Sequence, residues 1–474
     1  MRAAISLDLQ SDAPLHRQIY DAWRRDVLSG RFRRGERVPS TRELAQSLKL
    51  ARATVAQAYE QLLSEGYLFA LRGSGTFVCR ELPDEALRAK SHAGNRRAAM
   101  PDVPLSPFGA RLTTDFTYAP IAAGHINFSR WSPDTAHFPV ALWRKLWTRA
   151  LRKPSPELFE YSREPQGIEM LRVEIAAYVA RTRAVHCKPE QVIVVSGSQQ
   201  ALDFCARLLA QAKDSVAFED PGYLGTRRIF EAHGLTLRPI RVDEEGIVVR
   251  DLDRKCKLVY VTPSRQFPTG VAMSLSRRLE LLAWAREHRA VVIEDDYDSE
   301  YRYSGPPLPA LQGLCGDVPV IYCGTFSKVM FPSLRVGYLV VPTNLVAAFR
   351  RAKWVTDRHT PTLEQVVLTE FLRDGHLDRH VRRMRRLYGQ RREALVEALQ
   401  KYFGDAVRVH GDAAGMSLMA RFAQDIEPRA QRNKVQIVNT SAYYFGKRPS
   451  NEYLFGFSLL GERAIREGIK RLAP

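Results

Sequence analysis

The sequence predicts two folded domains: a small α+β domain at the N-terminus, and a large α/β domain whose mostly parallel sheet is accompanied by a smaller α+β part. The chain of 474 residues is longer than one ordinary hydrophobic core organises. Residues 15–78 have helical periodicity followed by two β-rich runs. Beyond residue 113, apolar β-rich runs alternate with amphipathic helical stretches, a pattern typical of parallel-sheet α/β domains.

A proline-rich, basic stretch without periodicity separates these regions and predicts an exposed linker. The alternative is a packed irregular loop. Six β-rich runs of the large domain are predicted as strands, and they begin at residues 192, 215, 258, 290, 320 and 337. The predicted limits are 1–80 for the first domain, 81–112 for the linker and 113–474 for the second domain, with its large part at about 165–343 and its small part at 113–164 and 344–474.

The composition restricts the class of protein. A net charge of +19 favours a polyanionic partner such as nucleic acid, although a basic but inert surface gives the same count. The six cysteines include no CxxC pair, so we expect neither a metal site nor a disulfide framework. No apolar run approaches the ~20 residues that span a bilayer. We therefore expect a cytoplasmic protein that does not bind membranes.

The N-terminal segment predicts three helices followed by a β-hairpin. The first helix is the amphipathic stretch 15–28. Ser40 and Glu43 stand at the positions of a capping box, which predicts the start of the second helix. The third helix occupies 52–65, and two short strands, 67–70 and 75–78, follow it.

A helix, a turn, a second helix and a hairpin wing form a DNA-binding arrangement, in which the second helix of the pair enters the major groove. The runs 39–44, 51–55, 65–67 and 72–76 resemble the GntR-type winged helix-turn-helix. The alternative is a helical dimerisation module. The residues expected to contact double-stranded DNA are Arg42, Arg52, Thr54, Gln57, Arg72 and Gly73.

Two segments of the large domain contain chemistry suited to an aldehyde that also carries a phosphate. Lys328 follows a buried strand and is preceded by hydroxyl residues, while Arg335 lies seven positions later. Such a lysine forms a Schiff base, and hydroxyls and a guanidinium bind phosphate. Asp295 ends another apolar strand, where a carboxylate suits a pyridinium nitrogen, and Tyr297 follows it. The alternatives for this acidic cluster are a metal site or a solvated strand end.

Further residues at predicted strand ends complete the pattern, because open α/β sheets bind ligands at that edge. Free amides at the helix start near Ser198 and Gln199 suit an anion. Tyr223 is placed to stack on an aromatic ring. The segment 260–270 is expected at the same edge.

Together these motifs resemble fold-type I pyridoxal-phosphate enzymes of the aspartate aminotransferase class. With the winged helix in front, nearly the whole chain resembles the MocR/GabR group of bacterial regulators. The resemblance implies pyridoxal phosphate as cofactor and a homodimer with the cofactor near the subunit interface. The residues implied at the cofactor are Lys328 as Schiff-base lysine, Asp295, Tyr297, Tyr223, Ser198, Gln199, Thr325, Ser327, Arg335 and, from the partner subunit, Tyr161.

The chain departs from the pattern of this group. Arg265 and Ser417 stand where histidine is common. The tail 453–458 contains no arginine for a substrate carboxylate, so Arg421 and Arg448 are only candidates. The basic run 379–392 is expected to be a solvated helix face, and a second DNA-contacting surface is the alternative. These departures weaken the case for an ordinary amino-acid substrate.

The resemblance implies a transcription regulator that senses pyridoxal phosphate or an amino compound bound to it. One alternative is an active aminotransferase with an auxiliary DNA-binding module. Another is a sensor of the cofactor alone, with no further amine ligand. The sequence does not specify the effector or the operator.

Overall fold

The computed structural model describes residues 7–8, 10–84, 103–112, 122–305, 308–411, 413–446 and 449–474. The chain divides into two compact units, Met1–Val103 and Pro104–Pro474. Most of the predicted linker and Arg448 lie outside the described residues. Within the described ranges, no helix is both long and apolar enough to cross a membrane.

The N-terminal unit contains three helices and a small antiparallel sheet. Its elements are α1 (Leu15–Leu28), β1 (Arg37–Val38), α2 (Thr41–Leu48), α3 (Arg52–Ser64), β2 (Leu68–Leu71) and β3 (Gly75–Val78). The strand order is β1-β3-β2, so the predicted hairpin wing is present and gains a third strand. Trp23, Leu44, Val55 and Leu62 are buried together in one core.

Side-chain capping fixes the start of α2. The Glu43 amide donates to Ser40 Oγ at 3.2 Å, and the Ser40 amide donates to Glu43 Oε2 at 2.7 Å. This reciprocal pair is a capping box, and the sequence prediction is confirmed. At the other end, Lys49 adopts a left-handed conformation with φ 56°, which turns the chain towards α3.

The C-terminal unit begins with a short helix inside the predicted linker. Its first elements are α4 (Pro107–Arg111), β4 (Ile126–Asn127), α5 (Val140–Arg152) and α6 (Glu169–Arg183). Arg111 Nη1 donates to the Ala232 carbonyl at 3.1 Å, and the Phe108 ring packs 4.9 Å from the His233 ring. Residues 107–111 are therefore packed onto this unit.

The described part of this unit contains an eight-stranded mixed sheet. In chain order its strands and the helices between them are β5 (Val192–Val195), α7 (Ser198–Leu209), β6 (Ser215–Asp220), α8 (Leu224–Ala232), β7 (Thr236–Asp243), β8 (Gly246–Ile247), β9 (Cys256–Val261), α9 (Leu275–His288), β10 (Val291–Asp296), β11 (Val320–Thr325) and β12 (Gly337–Val340). The spatial order is β5-β12-β11-β10-β9-β6-β7-β8. The five central strands run parallel, which confirms the predicted fold class.

The remaining chain forms helices and a smaller antiparallel sheet. Its elements are α10 (Val346–Asp357), α11 (Thr362–Arg373), α12 (His376–Phe403), β13 (Val407–His410), β14 (Ser417–Phe422), α13 (Glu427–Arg432), β15 (Val435–Gln436), β16 (Val438–Asn439), β17 (Glu452–Gly456) and α14 (Glu462–Leu472). The sheet order is β13-β14-β17-β16, and β15 pairs with β4.

The topology brings polar strand ends to one edge of the large sheet. Strands β6, β9, β10 and β11 are parallel, so their carboxyl ends meet there. The strands are almost fully buried, and β6 and β10 change from apolar to acidic residues as they reach this edge. Open α/β sheets bind ligands at this edge, which makes it the candidate site.

Candidate cofactor site and nucleic-acid interface

Lys328 follows β11 at the polar edge of the large sheet. Its Nζ donates to the Trp131 carbonyl at 3.1 Å. Burial lowers the pKa of Lys328, the nearby Arg265 charge lowers it further, and the Asp298 carboxylate opposes the shift. A lowered pKa increases the fraction of neutral amine, which is the nucleophilic form.

Asp295 ends β10, the strand beside β11. Its side chain is only 4% exposed, and Oδ2 accepts a hydrogen bond from the Tyr260 hydroxyl at 2.7 Å. Burial raises the pKa of Asp295 to about 7. A buried carboxylate in this state is stabilised by a cationic N–H, which a protonated ring nitrogen supplies.

An aromatic wall lies beside these groups, and Phe267 is at its centre. The Phe267 ring lies 5.0 Å from that of Tyr443, 5.6 Å from Tyr223, 6.0 Å from Trp131 and 6.3 Å from Tyr297. The carbonyl of Trp131 accepts from Lys328. The wall therefore connects both predicted site tyrosines with the lysine, and it provides apolar faces for a planar ligand.

The hydroxyl of Tyr297 accepts a hydrogen bond from a buried arginine. Arg265 Nη1 donates to the Tyr297 hydroxyl oxygen at 3.0 Å. Burial raises the pKa of Tyr297 well above its ordinary value, while the Arg265 charge opposes that shift. Tyr297 is therefore neutral and has a proton to donate.

An anion cradle lies at the start of α7. Gly197 precedes the helix with φ 92°, and a Cβ there would lie 2.7 Å from Arg335 Nη2. The same nitrogen donates to the Ser196 carbonyl at 2.6 Å. Free amides at the N-terminus of this 12-residue helix attract anions.

Hydroxyls at the end of β11 supply further polar groups. Thr325 Oγ1 accepts from the Ser327 amide at 3.2 Å. Within the described ranges, Ser327 Oγ is buried and has no hydrogen-bond partner. On the opposite side, Gln199 Nε2 donates to the Tyr223 hydroxyl at 3.3 Å.

Tyr161 is not brought into this group. It is 74% exposed, with the Arg358 guanidinium 5.2 Å from its ring centre and the His359 ring at 6.3 Å. The carboxylate-binding candidate Arg421 is already paired, because its Nε donates to Glu452 Oε1 at 2.6 Å.

Several residues of the site had no signal in the sequence. Trp131 is remote in sequence from Lys328, and nothing in its segment indicates the contact. Tyr260 reads as an ordinary strand residue until the β9–β10 register places its hydroxyl against Asp295. Asp298 is visible only as one member of an acidic run, although it is buried beside Arg265 at 3.4 Å.

This donor set fits pyridoxal phosphate. Lys328 would supply the amine for an aldehyde, and Asp295 would supply a carboxylate for a ring nitrogen. Tyr297 would supply a hydroxyl for a ring oxygen. Arg335 and the buried Ser327 hydroxyl would supply donors for a phosphate.

The N-terminal unit presents its predicted DNA-contacting residues to solvent. Arg42, Arg52, Gln57 and Arg72 are exposed, and Thr54 is half-buried at the start of α3. Gly73, at the tip of the wing, has φ 80°, and no atom lies within 4 Å of the point where a Cβ would stand, so the backbone there is open to a close approach. Exposed polar residues at a helix start, together with an exposed hairpin tip, are what groove-binding modules present to DNA.

Comparisons with known proteins match both units. The family "Bacterial regulatory proteins, gntR family" matches residues 15–78, and "Aminotransferase class I and II" matches residues 134–450. The probable rhizopine catabolism regulatory protein MocR of Rhizobium meliloti is 38% identical over 98% of this chain and 94% of its own length. The uncharacterized HTH-type transcriptional regulator YdeL of Bacillus subtilis is 35% identical over 97% of this chain and 96% of its own.

The solved structures match the C-terminal unit. The crystal structure of Pyrococcus horikoshii kynurenine aminotransferase in complex with PMP is 30% identical, with a TM-score of 0.69 over 74% of this chain and 90% of that chain. The regulators extend over both units, whereas this enzyme covers one. The chain therefore belongs to the MocR-type family of regulators, in which a GntR-type winged helix-turn-helix is joined to an aminotransferase-like domain.

Proposed function

We propose that this protein is a DNA-binding transcription regulator whose aminotransferase-like domain binds pyridoxal phosphate and senses the cofactor, or an amino compound bound to it. The observation that carries the proposal is the position of Lys328, which lies at the sheet edge together with buried Asp295 and the anion cradle at Arg335. The same chain carries an exposed recognition helix.

Each group at the edge has one role in holding the cofactor. Arg335, Ser327, Thr325 and the first amides of α7, at Ser198 and Gln199, bind its phosphate. Asp295 accepts from the ring nitrogen and Tyr297 donates to the ring oxygen. Tyr223 packs on the ring. When bound, the cofactor supplies an aldehyde for which Lys328 and a ligand amine compete.

Sensing requires that two states of the protein differ in their affinity for the ligand. With the cofactor bound, a ligand amine would take the place of Lys328 at the aldehyde. The freed Lys328 amine would then be available to donate to the Trp131 carbonyl, as it does in this structure. Arg421 is paired with Glu452, so it is not placed to select ligands by a carboxylate. The effector class we propose is therefore a small amino compound.

The regulator is proposed to act as a homodimer in the cytoplasm. The strongly exposed large side chains of the C-terminal unit include Phe159, Tyr161, Trp354 and Val355. The rings of Tyr161 and Trp354 lie close together, because the Arg358 guanidinium is 5.2 Å from one ring centre and 4.8 Å from the other. Contiguous exposed patches of this kind are typical of protein–protein interfaces. A second copy covering them brings Tyr161 to the partner's phosphate site.

The cofactor part is tested by absorbance. Purified protein with added pyridoxal phosphate should develop the visible band of a protonated Schiff base. Lys328→Ala should abolish the band, and the exposed control Lys255→Ala should retain it. Absence of the band in the unaltered protein would contradict cofactor binding. Repeated turnover of an amino acid with a keto acid would favour the alternative, an active aminotransferase.

The DNA part is tested with DNA from upstream of the protein's own gene in a salt series. Arg52→Ala should cost about 1–3 kcal/mol on the specific site and relax base preference, and Arg72→Ala should reduce the salt slope by about 1. Arg25→Ala removes an exposed charge from α1 and should change neither. Equal losses for all three variants would mean that only the overall charge matters.

A further inference from the structure

Arg265 is a buried arginine whose every guanidine nitrogen is engaged. It is 3% exposed in the loop between β9 and α9. Nε donates to the Ala414 carbonyl at 3.0 Å, and Nη2 donates to the Ser417 carbonyl at 2.6 Å and to Ser417 Oγ at 3.2 Å. Nη1 lies 3.0 Å from the Tyr297 hydroxyl and 3.4 Å from Asp298 Oδ2. The hydrogen-bonding groups of this side chain are therefore all used within the protein.

The contacts of Arg265 join the cofactor edge to the smaller sheet. Ala414 and Ser417 lie at the start of β14, whereas Tyr297 follows β10. Gly415 has φ 81°, and a Cβ at this position would collide with the Arg265 guanidine. The segment before β14 is therefore shaped around this side chain.

The hydrogen bond from Arg265 determines where the Tyr297 proton points. A guanidinium has donors and no acceptor, so the Tyr297 oxygen must accept. The hydroxyl proton is then directed away from Arg265 and is available to a ligand. The adjacent positive charge also makes the hydroxyl a stronger donor.

We propose that Arg265, held in place by Ala414 and Ser417, is a positioning residue that aims the Tyr297 hydroxyl at the cofactor's ring oxygen and places a fixed positive charge behind it. The proposal rests on cofactor binding as proposed above. Arg265 touches no part of the ligand itself and acts through Tyr297. If Arg265 acts in this way, protonation of the lysine–cofactor adduct depends on a residue that does not contact the cofactor.

The test measures the absorbance of the loaded protein as a function of pH, together with cofactor affinity. Arg265→Met removes a positive charge that disfavours protonation of the adduct, and it removes the charge that lowers the pKa of the buried Asp298 carboxyl. The groups facing Arg265 are Tyr297, Asp298 and Tyr303, and Lys328 feels its charge. Loss of the Arg265 charge and loss of its hydrogen bond to Tyr297 both favour protonation of the adduct, so the midpoint of the pH titration should rise by about one unit or more, a tenfold change in proton affinity.

Arg278→Met is a matched control. Arg278 is buried and donates to the carbonyls of Met273 and Pro309 at 3.0 Å and of Pro263 at 2.7 Å. Its loss should destabilise the same region without moving the midpoint. Arg265→Lys, which keeps a positive charge without the planar fork, should give an intermediate midpoint, and it replaces the methionine variant if that variant does not fold.

A cycle with Tyr297→Phe tests whether Arg265 acts through the hydroxyl. In the phenylalanine background, Arg265→Met should move the midpoint much less. Equal shifts in both backgrounds, or equal shifts for Arg265→Met and Arg278→Met, would overturn the proposal. If the unaltered protein gives no band, cofactor binding itself has failed. A normal band that is lost in Lys328→Ala, with no effect of Arg265→Met, disproves the role of Arg265 alone.

Discussion

At the residue scale, the ionisation of Asp295 gives the protein without cofactor a distinct pH dependence. Burial raises its pKa from 3.8 to about 7, so the folded protein binds this proton more tightly than the unfolded chain. The contribution of Asp295 to stability is therefore fully present below its pKa in the unfolded chain. It is lost as the pH rises through its pKa in the folded protein. Asp295→Asn removes this loss and preserves an acceptor for Tyr260.

The free energy of unfolding of the unaltered protein, relative to the Asp295→Asn variant, should fall by up to about 1.4 kcal/mol per pH unit over that window. Urea unfolding of both cofactor-free proteins at several pH values measures it. Glu300, whose pKa burial also raises to about 7, titrates in both proteins and cancels. The Asp295 charge contributes to the raised pKa of Glu219, so part of the measured difference reports this coupling between the two carboxyls. A constant difference between the two proteins would contradict the raised pKa of Asp295.

Gly197 provides a second prediction at this scale, concerning the anion cradle. Alanine there is strained by φ 92°, and its Cβ would lie 2.7 Å from Arg335 Nη2. Gly197→Ala should therefore displace Arg335 and weaken pyridoxal-phosphate binding at least about tenfold, equivalent to 1.4 kcal/mol. Titration of the cofactor-free protein measures the affinity. Gly461→Ala, with ordinary φ and nothing within 4 Å, should retain it.

Single residues also show where sequence reasoning ends. In the sequence, Arg265 and Ser417 are two separate departures from the family pattern, 152 positions apart. The structure places Arg265 Nη2 3.2 Å from Ser417 Oγ, so the departures are in contact. Each sequence motif predicts that its residues lie at the end of one strand. The distance between residues of different motifs depends on the spatial order of the strands, which the motifs do not contain. The assigned roles of the cofactor residues remain predictions.

At the element scale, the basic run 379–392 lies on α12, and several of its arginines contact neighbouring segments of the protein. Arg385 donates to the Glu300 carbonyl at 2.6 Å, and Arg383 donates to the His137 carbonyl. Arg391 forms an ion pair with Asp134 at 2.9 Å and donates to the Ser458 carbonyl. These arginines fasten the helix to neighbouring segments.

Arg391→Ala should lower the free energy of unfolding by about 1–3 kcal/mol, because the largely buried Asp134 carboxylate then keeps only His137 Nδ1 and the Ala136 amide as partners. Arg386→Ala, at an exposed position of the same helix, should change it by no more than about 0.5 kcal/mol. Urea unfolding of both variants gives these values. A loss of DNA affinity in Arg386→Ala would support the second DNA-contacting surface.

The regular elements are more predictable than the polar ones. Buried apolar strands such as β5 and β12 have the expected bounds, because continuous burial leaves a continuous apolar run. Strand β7 is absent from the predicted strands, since it is half-exposed and contains two arginines, a proline and an aspartate. The two-residue β1 is too short for any periodicity and exists through its pairing with β3.

At the scale of the whole molecule, the exposed side chains Phe159, Tyr161, Trp354 and Val355 set the expectation of a dimer. Trp354→Glu should place a charge beside Arg358 and Tyr161 and shift the protein towards monomer in sedimentation velocity. The exposed control Glu393→Gln should leave the association unchanged. If Tyr161 completes the partner's phosphate site, the monomer should also bind the cofactor more weakly.

Hybrid dimers test that sharing directly. Lys328→Ala removes the covalent bond at its own site, and Tyr161→Phe should weaken whichever site Tyr161 serves. If Tyr161 acts across the interface, a hybrid of the two variants contains one site with both changes and one unaltered site. Half of the subunits should then bind the cofactor with full affinity and show the Schiff-base band. If Tyr161 served its own subunit, neither site of the hybrid would be intact, and mixing the variants would restore no tight binding.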